Sequence, residues 1–265
     1  MTDSFRRWNR ILLVAFGVLT IVFLIGPSLV IVPMGFSSAK ILSFPPPGLS
    51  LQWYEKMVTS PSWTAGFINS FMVAVLTAIV ASILGTLAAL GLARGRFPGR
   101  SIANAVILSP LVVPVVVIAI GMFSLYVRWK ITGSVVGLVV AHTTLAVPFV
   151  VISVSASLRT MDRNLEMAAA NLGASPVRTF RHITLPLIMP GVFAGALFAF
   201  LSSWDEVVVA IFLTTTKFRT LPTVMWEQVR QVIDPTVAAV ATVLLVVTTV
   251  VLMLALVVRR QAPVR

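Results

Sequence analysis

Six apolar runs, each long enough to cross a bilayer, leave this chain little freedom of architecture: 11–32, 67–92, 102–127, 134–158, 187–213 and 237–258. About 20 apolar residues carry a helix across a hydrocarbon layer of about 30 Å. Lipid offers no water to satisfy peptide groups, so runs of this length must close their own hydrogen bonds as helices. With 58% hydrophobic and only 11% charged residues over 265 positions, the chain reads as one all-α integral membrane domain, 1–265, with six transmembrane helices. Gly85 with Ala89, and Gly191 with Gly195, place small residues four apart, which suits close helix packing. Pro110, Pro114 and Pro148 interrupt helix bonding inside runs and predict kinks there.

Sidedness follows from the basic residues. The N-terminus, the loop with Arg94, Arg96 and Arg100, the 159–186 segment and the C-terminal tail together hold 13 of them. The alternate loops hold 7: Lys40, Lys56, Arg128, Lys130, Lys217, Arg219 and Arg230. The positive-inside bias therefore places both termini and the 159–186 segment in the cytoplasm. The net charge of +12 is mostly this topology signal plus contact with anionic lipid headgroups. The first run, at about 22 residues, exceeds a cleavable apolar region and predicts an uncleaved anchor. There is no cysteine, which removes disulfides and thiolate metal sites.

Between the fourth and fifth runs lies a polar island with unusual punctuation. Asn164 is a candidate cap for a short helix over 165–171, and Gly173 suits the left-handed residue that ends it. Ser175 and Pro176 form a second start signal, an N-cap followed by proline at the first helical position. Ala168 and Ala169 leave one face almost without side chains, so another backbone could approach closely. An ordinary connecting loop is the plainer alternative. Two loops on the outer side also carry structure: 34–66, stiff and aromatic with Phe44, Pro45, Pro46, Pro47, Trp53 and Tyr54, is expected at the membrane interface, and 214–236 predicts a short helix near Trp226.

The only formal charges within the six runs are Asp205 and Glu206, which follow Ser202, Ser203 and Trp204. Carboxylates at membrane depth cost several kcal/mol unless solvated, paired or protonated, so they mark polar pathways. Neighbours on a helix point about 100° apart. One carboxylate is therefore expected to face the pathway while the other pairs with a neighbouring helix or subunit; the alternative is a structural pair or a helix end near external water. An acidic group there would attract a cation in passage. His142, beside Thr143 and Thr144, reads as a hydrogen-bonded packing residue. Nothing resembles a metal cluster, since the only other histidine is His182, or a nucleophilic triad with supporting context; the phosphate loop is absent, since no glycine precedes any of the four lysines. Dispersed basic residues without a recognised motif exclude nucleic-acid binding.

Ala168-Ala169, Gly173, nine residues, then Ile183-x-Leu185-Pro186 closely resembles the cytoplasmic motif of permease subunits in bacterial binding-protein-dependent ABC importers. The resemblance implies a type I permease bundle in the bacterial inner membrane. It also implies a coupling helix that docks into a separate ATPase through Ala168, Ala169, Gly173, Ile183, Leu185 and Pro186. One departure stands out: the motif's glutamate position holds Met167, and the nearest carboxylate is Glu166, one residue earlier. Either Glu166 substitutes from a different angle or that contact is missing.

The segment from Phe44 to Tyr54, the pair Asn69-Ser70, and Trp204-Asp205-Glu206 followed by three valines look like the second permease of spermidine/putrescine-type importers. Related permeases carry amino-acid derivatives, opines and phosphonates. The implied substrate pathway includes Ser202, Trp204, Asp205 and Glu206. The implied partners are an ATP-binding subunit dimer, a second permease, an extracytoplasmic solute-binding protein and membrane lipid. ATP and magnesium belong to the ATPase, and no cofactor or catalysis to this chain. A stand-alone ion-coupled secondary transporter is the rival reading, with one acidic pair sparse for it; an intramembrane enzyme lacks paired catalytic groups.

Overall fold

A computed structural model describes the backbone of residues 2–231 and 234–261 and the side chains of 9–231 and 234–253. Arg6, Arg7, Arg259, Arg260 and Arg265, counted above for sidedness, lie outside the described side chains. Twelve α-helices run in order among the described residues: α1 (Thr2–Gly35), α2 (Gln52–Thr59), α3 (Pro61–Arg94), α4 (Arg100–Leu108), α5 (Val115–Trp129), α6 (Val135–Thr160), α7 (Asn164–Asn171), α8 (Pro176–Thr179), α9 (Leu185–Trp204), α10 (Val208–Leu213), α11 (Leu221–Gln231) and α12 (Thr236–Gln261). The only strand-like pairings among these residues are isolated bridges, Ser37 with Leu49 and Thr215 with Phe218. The protein is all-α.

Four of the predicted spans are single helices. The third and fifth are not. Residues 102–127, expected as one span, form two arms, Arg100–Leu111 and Val115–Trp129, bent by 101°. The cause is local. Pro110 sits in a tight turn over 109–111, and Pro114, with extended ψ of 127°, caps α5, so two prolines within five residues remove consecutive helix bonds. Pro148, by contrast, sits inside α6 without ending it. The fifth run divides at 205–207 into α9 and α10.

One compact unit combines the chain up to 61 with 227–247; the other combines 62–226 with the residues from 248 on. In the first, residues 36–50 close on themselves through Ser38 N–H to Gly48 O (2.9 Å) and Ser50 N–H to Phe36 O (2.7 Å). Trp53 is buried and donates to Ser37 O at 2.8 Å, so it holds this loop. Lys56 Nζ meets Asp234 Oδ2 at 2.5 Å, and Asp234 Oδ1 accepts the Thr236 N–H that opens α12 (2.9 Å).

In the second unit α6 is the central helix: 61% of its membrane-length window is buried, against 39% for α3 and 28% for the helix leading into α9. Glycine makes this possible at one place. A Cβ on Gly85 of α3 would sit 2.6 Å from Val150 Cβ, and one on Gly195 of α9 would sit 2.8 Å from Val150 Cα. Both helices thus close on the same residue of α6, and a Cβ on Gly191 would likewise collide with Ser153 O and, more closely, with Ser157 Oγ. Asn69 and Ser70 tie the loop before α11 to α3: the Asn69 amide donates to Arg219 O, and Ser70 Oγ accepts the Leu221 N–H, both at 2.8 Å.

Candidate functional site

The first candidate site is the break in the fifth run. α9 ends at Trp204, and Asp205 N–H still reaches Leu201 O at 3.3 Å. The chain then turns at Asp205, with φ −103° and ψ 4°. Glu206 Oε1 accepts the backbone N–H of Val209 at 2.9 Å, which makes it the side-chain cap of α10. Within this chain Glu206 serves its own helix: the short helix α10 leaves its first N–H groups without partners, and the nearest acceptor takes them. Asp205 is exposed, and among the described residues it enters no ion pair. The two acids therefore have different jobs, one structural and one free.

Aromatic rings surround the turn before the break. The Trp204 indole, 1% exposed, stacks on Phe200 (5.9 Å, 13°) and receives the edges of Phe67 (5.5 Å, 89°) and Phe71 (6.4 Å, 88°) from α3. Its Nε1–H is buried and finds no acceptor among the described residues. Ser202 is half-buried beside it, while Ser203 is buried and meets His142 Nδ1 at 2.7 Å. Ser203 Oγ also lies 3.4 Å from Thr77 Oγ1. His142 is thus the packing histidine expected, and Ser203 links α9 to α6 through it and to α3 through Thr77, two residues before Asp205.

The second candidate site is the island. α7 spans Asn164–Asn171, and Gly173 takes φ +80°, the left-handed conformation that ends the helix. Ser175 Oγ accepts the Arg178 N–H at 3.4 Å and starts α8. Asn164 is not the cap, however. It is the first helical residue, and Asp162 Oδ1 accepts its N–H at 2.9 Å, because an Asp two residues ahead of the helix reaches the free donor first.

The island exposes a group of apolar side chains among its polar ones: Leu172 is 89% exposed, Val177 75% and Met167 56%, with Ala168 and Gly173 open beside them. Ala169 is buried, Ile183 and Leu185 are half-buried, and Pro186 is exposed. Glu166 turns the other way. Its carboxylate lies 2.5 Å from Arg94 Nη2 at the end of α3 and accepts a hydrogen bond from Thr184 Oγ1. Sequence reasoning counted Arg94 only as a topology charge and left Thr184 as the unspecified residue between Ile183 and Leu185; no periodic or motif signal marks either as a partner of Glu166. Thr184 closes a widened π-helical turn, 180–184, that feeds α9 without a gap.

Long apolar helices, a span broken at paired carboxylates and an apolar knob outside the spans define a polytopic membrane transport subunit. The chain belongs to the family of binding-protein-dependent transport system inner membrane components, whose profile matches residues 83–263. It is similar to the putrescine transport system permease protein PotI of Escherichia coli K12, 33% identical over 229 residues that cover 84% of this chain and 81% of that protein. It is also similar to the spermidine/putrescine transport system permease protein PotC of Haemophilus influenzae, 30% identical over 231 residues covering 87% and 89%. A crystal structure of a bacterial ABC transporter involved in import of the acidic polysaccharide alginate contains a chain of the same fold, with TM-score 0.73 at 15% identity over 99% of both chains. The chain is accordingly a multi-pass inner-membrane permease subunit of an ABC importer, and a non-catalytic one.

Proposed function

We propose that this subunit forms half of an ATP-driven path for a small cationic solute, a polyamine or another amine-bearing compound. The observation that carries this reading is the exposed, ion-pair-free carboxylate of Asp205 at the end of α9, next to the Trp204 aromatic cluster. A helix C-terminus carries partial negative charge, so α9 and Asp205 act in the same direction on a passing ammonium group, and the exposed Phe71 ring at the rim of the cluster adds cation–π attraction. The polyamine permeases among the relatives support the substrate class.

In this reading both termini and the island face the cytoplasm, and the apolar knob of Met167, Ala168, Leu172 and Gly173 seats in a groove of an ATP-binding subunit. Exposed apolar side chains outside the spans are what such a groove would cover. ATP and magnesium act in that partner, a second permease supplies the other wall of the path, and an extracytoplasmic binding protein delivers solute. ATP binding then biases an equilibrium between two bundle conformations.

Reconstitution of the assembled importer in liposomes with its binding protein tests the substrate class. Labelled putrescine and spermidine are expected to enter in an ATP-dependent, saturable way. Uptake of an anionic or zwitterionic solute with no competition from either polyamine would overturn the assignment.

A further inference from the structure

The strongest unabsorbed feature is the three-way contact at Glu166, which joins elements remote in sequence. Its carboxylate bridges the last residue of α3 and the last residue of the π turn that becomes α9. The side chains are mostly withdrawn from solvent, Glu166 to 15% and Arg94 to 30% exposure, and Thr184 is fully buried. Both contacts fall on Oε1, so the position of the carboxylate is set from inside its own chain. Arg94 ends α3, where the helix dipole favours a cation, so the pair is favoured from both sides.

We infer that Glu166 is an internal clasp, a positioning residue that fastens the docking helix α7 to α3 and to the base of α9, and is not itself a contact for the ATPase. The inference rests on the docking reading above and says how force applied there enters the spans. α7 is only eight residues long and cannot move a span by bulk. Its route to the break at Asp205 runs through this carboxylate to the π turn, a widened and hence deformable piece of helix, and along α9. Met167, one position on, points outward and can take the partner-facing place.

The test uses the whole importer, purified in lipid discs with its ATPase subunits. The variants are Glu166→Ala, Glu166→Gln, Arg94→Ala, Thr184→Val and the exchange Glu166→Arg with Arg94→Glu. Leu172→Cys, cross-linked to the ATPase, reports docking separately. If the clasp is real, every variant keeps wild-type ATPase stoichiometry and Leu172→Cys cross-linking. Amide exchange at 164–171 and 180–185 rises, and putrescine moved per ATP falls, roughly tenfold, within the range of allosteric couplings. The charge exchange recovers a substantial part of both, which a merely structural role would not.

Loss of the ATPase subunit in Glu166→Ala and Glu166→Gln, with Arg94→Ala normal, would overturn the inference and make Glu166 a partner contact. Unchanged exchange in Arg94→Ala and Thr184→Val would also overturn it. Failure of wild-type Leu172→Cys to cross-link defeats the docking reading instead. If putrescine is not the solute, the amide-exchange result decides alone.

Discussion

Ser203 on α9 and His142 on α6 meet at 2.7 Å, both buried, one residue before the Trp204 ring and two before Asp205. Removing the hydroxyl leaves His142 Nδ1 without its partner in a dry interface. Ser203→Ala should therefore destabilise the purified subunit by about 0.6–1.7 kcal/mol, the range measured for polar pairs between membrane helices. Thermal unfolding in detergent, compared with Ser202→Ala as the neighbouring control, measures it. A Ser203→Ala protein as stable as wild type would show that the contact does not hold α9 in place.

The two neighbouring acids should separate cleanly on mutation. Glu206→Ala removes the cap of α10 and should cost about 1 kcal/mol of stability. Asp205→Asn, an exposed change, should leave stability within about 0.5 kcal/mol while raising the KM for putrescine roughly tenfold, which corresponds to about 1.4 kcal/mol. Paired melting and uptake curves check both. The assignment of Asp205 fails if its uptake is normal.

The same substitution should have opposite signs at two glycines. Gly195→Ala drives a methyl toward Val150 Cα, a backbone atom that cannot swing aside, and should cost about 1–3 kcal/mol as overpacking. Gly121→Ala in α5 meets nothing within 4 Å and should be neutral or stabilising by up to about 1 kcal/mol, from helix propensity. Chemical unfolding of the two variants in mixed micelles reads the difference.

Asp234 makes stability depend on acidity. Burial raises its pKa, but the hydrogen bonds from Lys56 and Thr236 and the lysine's charge outweigh that and hold the carboxyl below its ordinary value. A depressed pKa means the folded state binds fewer protons, so this contribution is complete above the unfolded value of about 3.9. It is lost as pH falls through the folded value. Lys56 is half exposed, so screening limits the contribution to below about 1 kcal/mol. Asp234→Asn should flatten the acid limb of a stability–pH curve and leave the neutral region almost unmoved.

Local chemistry was legible in the sequence, and tertiary pairing was not. The apolar lengths of four spans, the left-handed Gly173 and the Ser175-Pro176 start each depend on residues within one or two turns, and each stands where the residues point. Pro110 and Pro114 announced an interruption, but not that it would be a bend of 101°. Hydropathy ran straight through 205–207, because Phe200, Leu201 and Trp204 before it and the valines after it hide a break that only the reach of Glu206 forward to Val209 reveals. Glu166 was singled out for being one place off the motif. Its direction could not be read, since its partners lie 72 residues before it at Arg94 and 18 after it at Thr184. The aromatic ring set around Trp204 was likewise invisible, because Phe67 and Phe71 reach it from another helix.

The glycines of α9 fall near its middle, with the π turn below and the acid-bearing break above. A helix held most tightly at its centre pivots most easily there. A tilt about Gly191 and Gly195 would swing its two tips in opposite senses, so an inward displacement of the base would carry Asp205 outward.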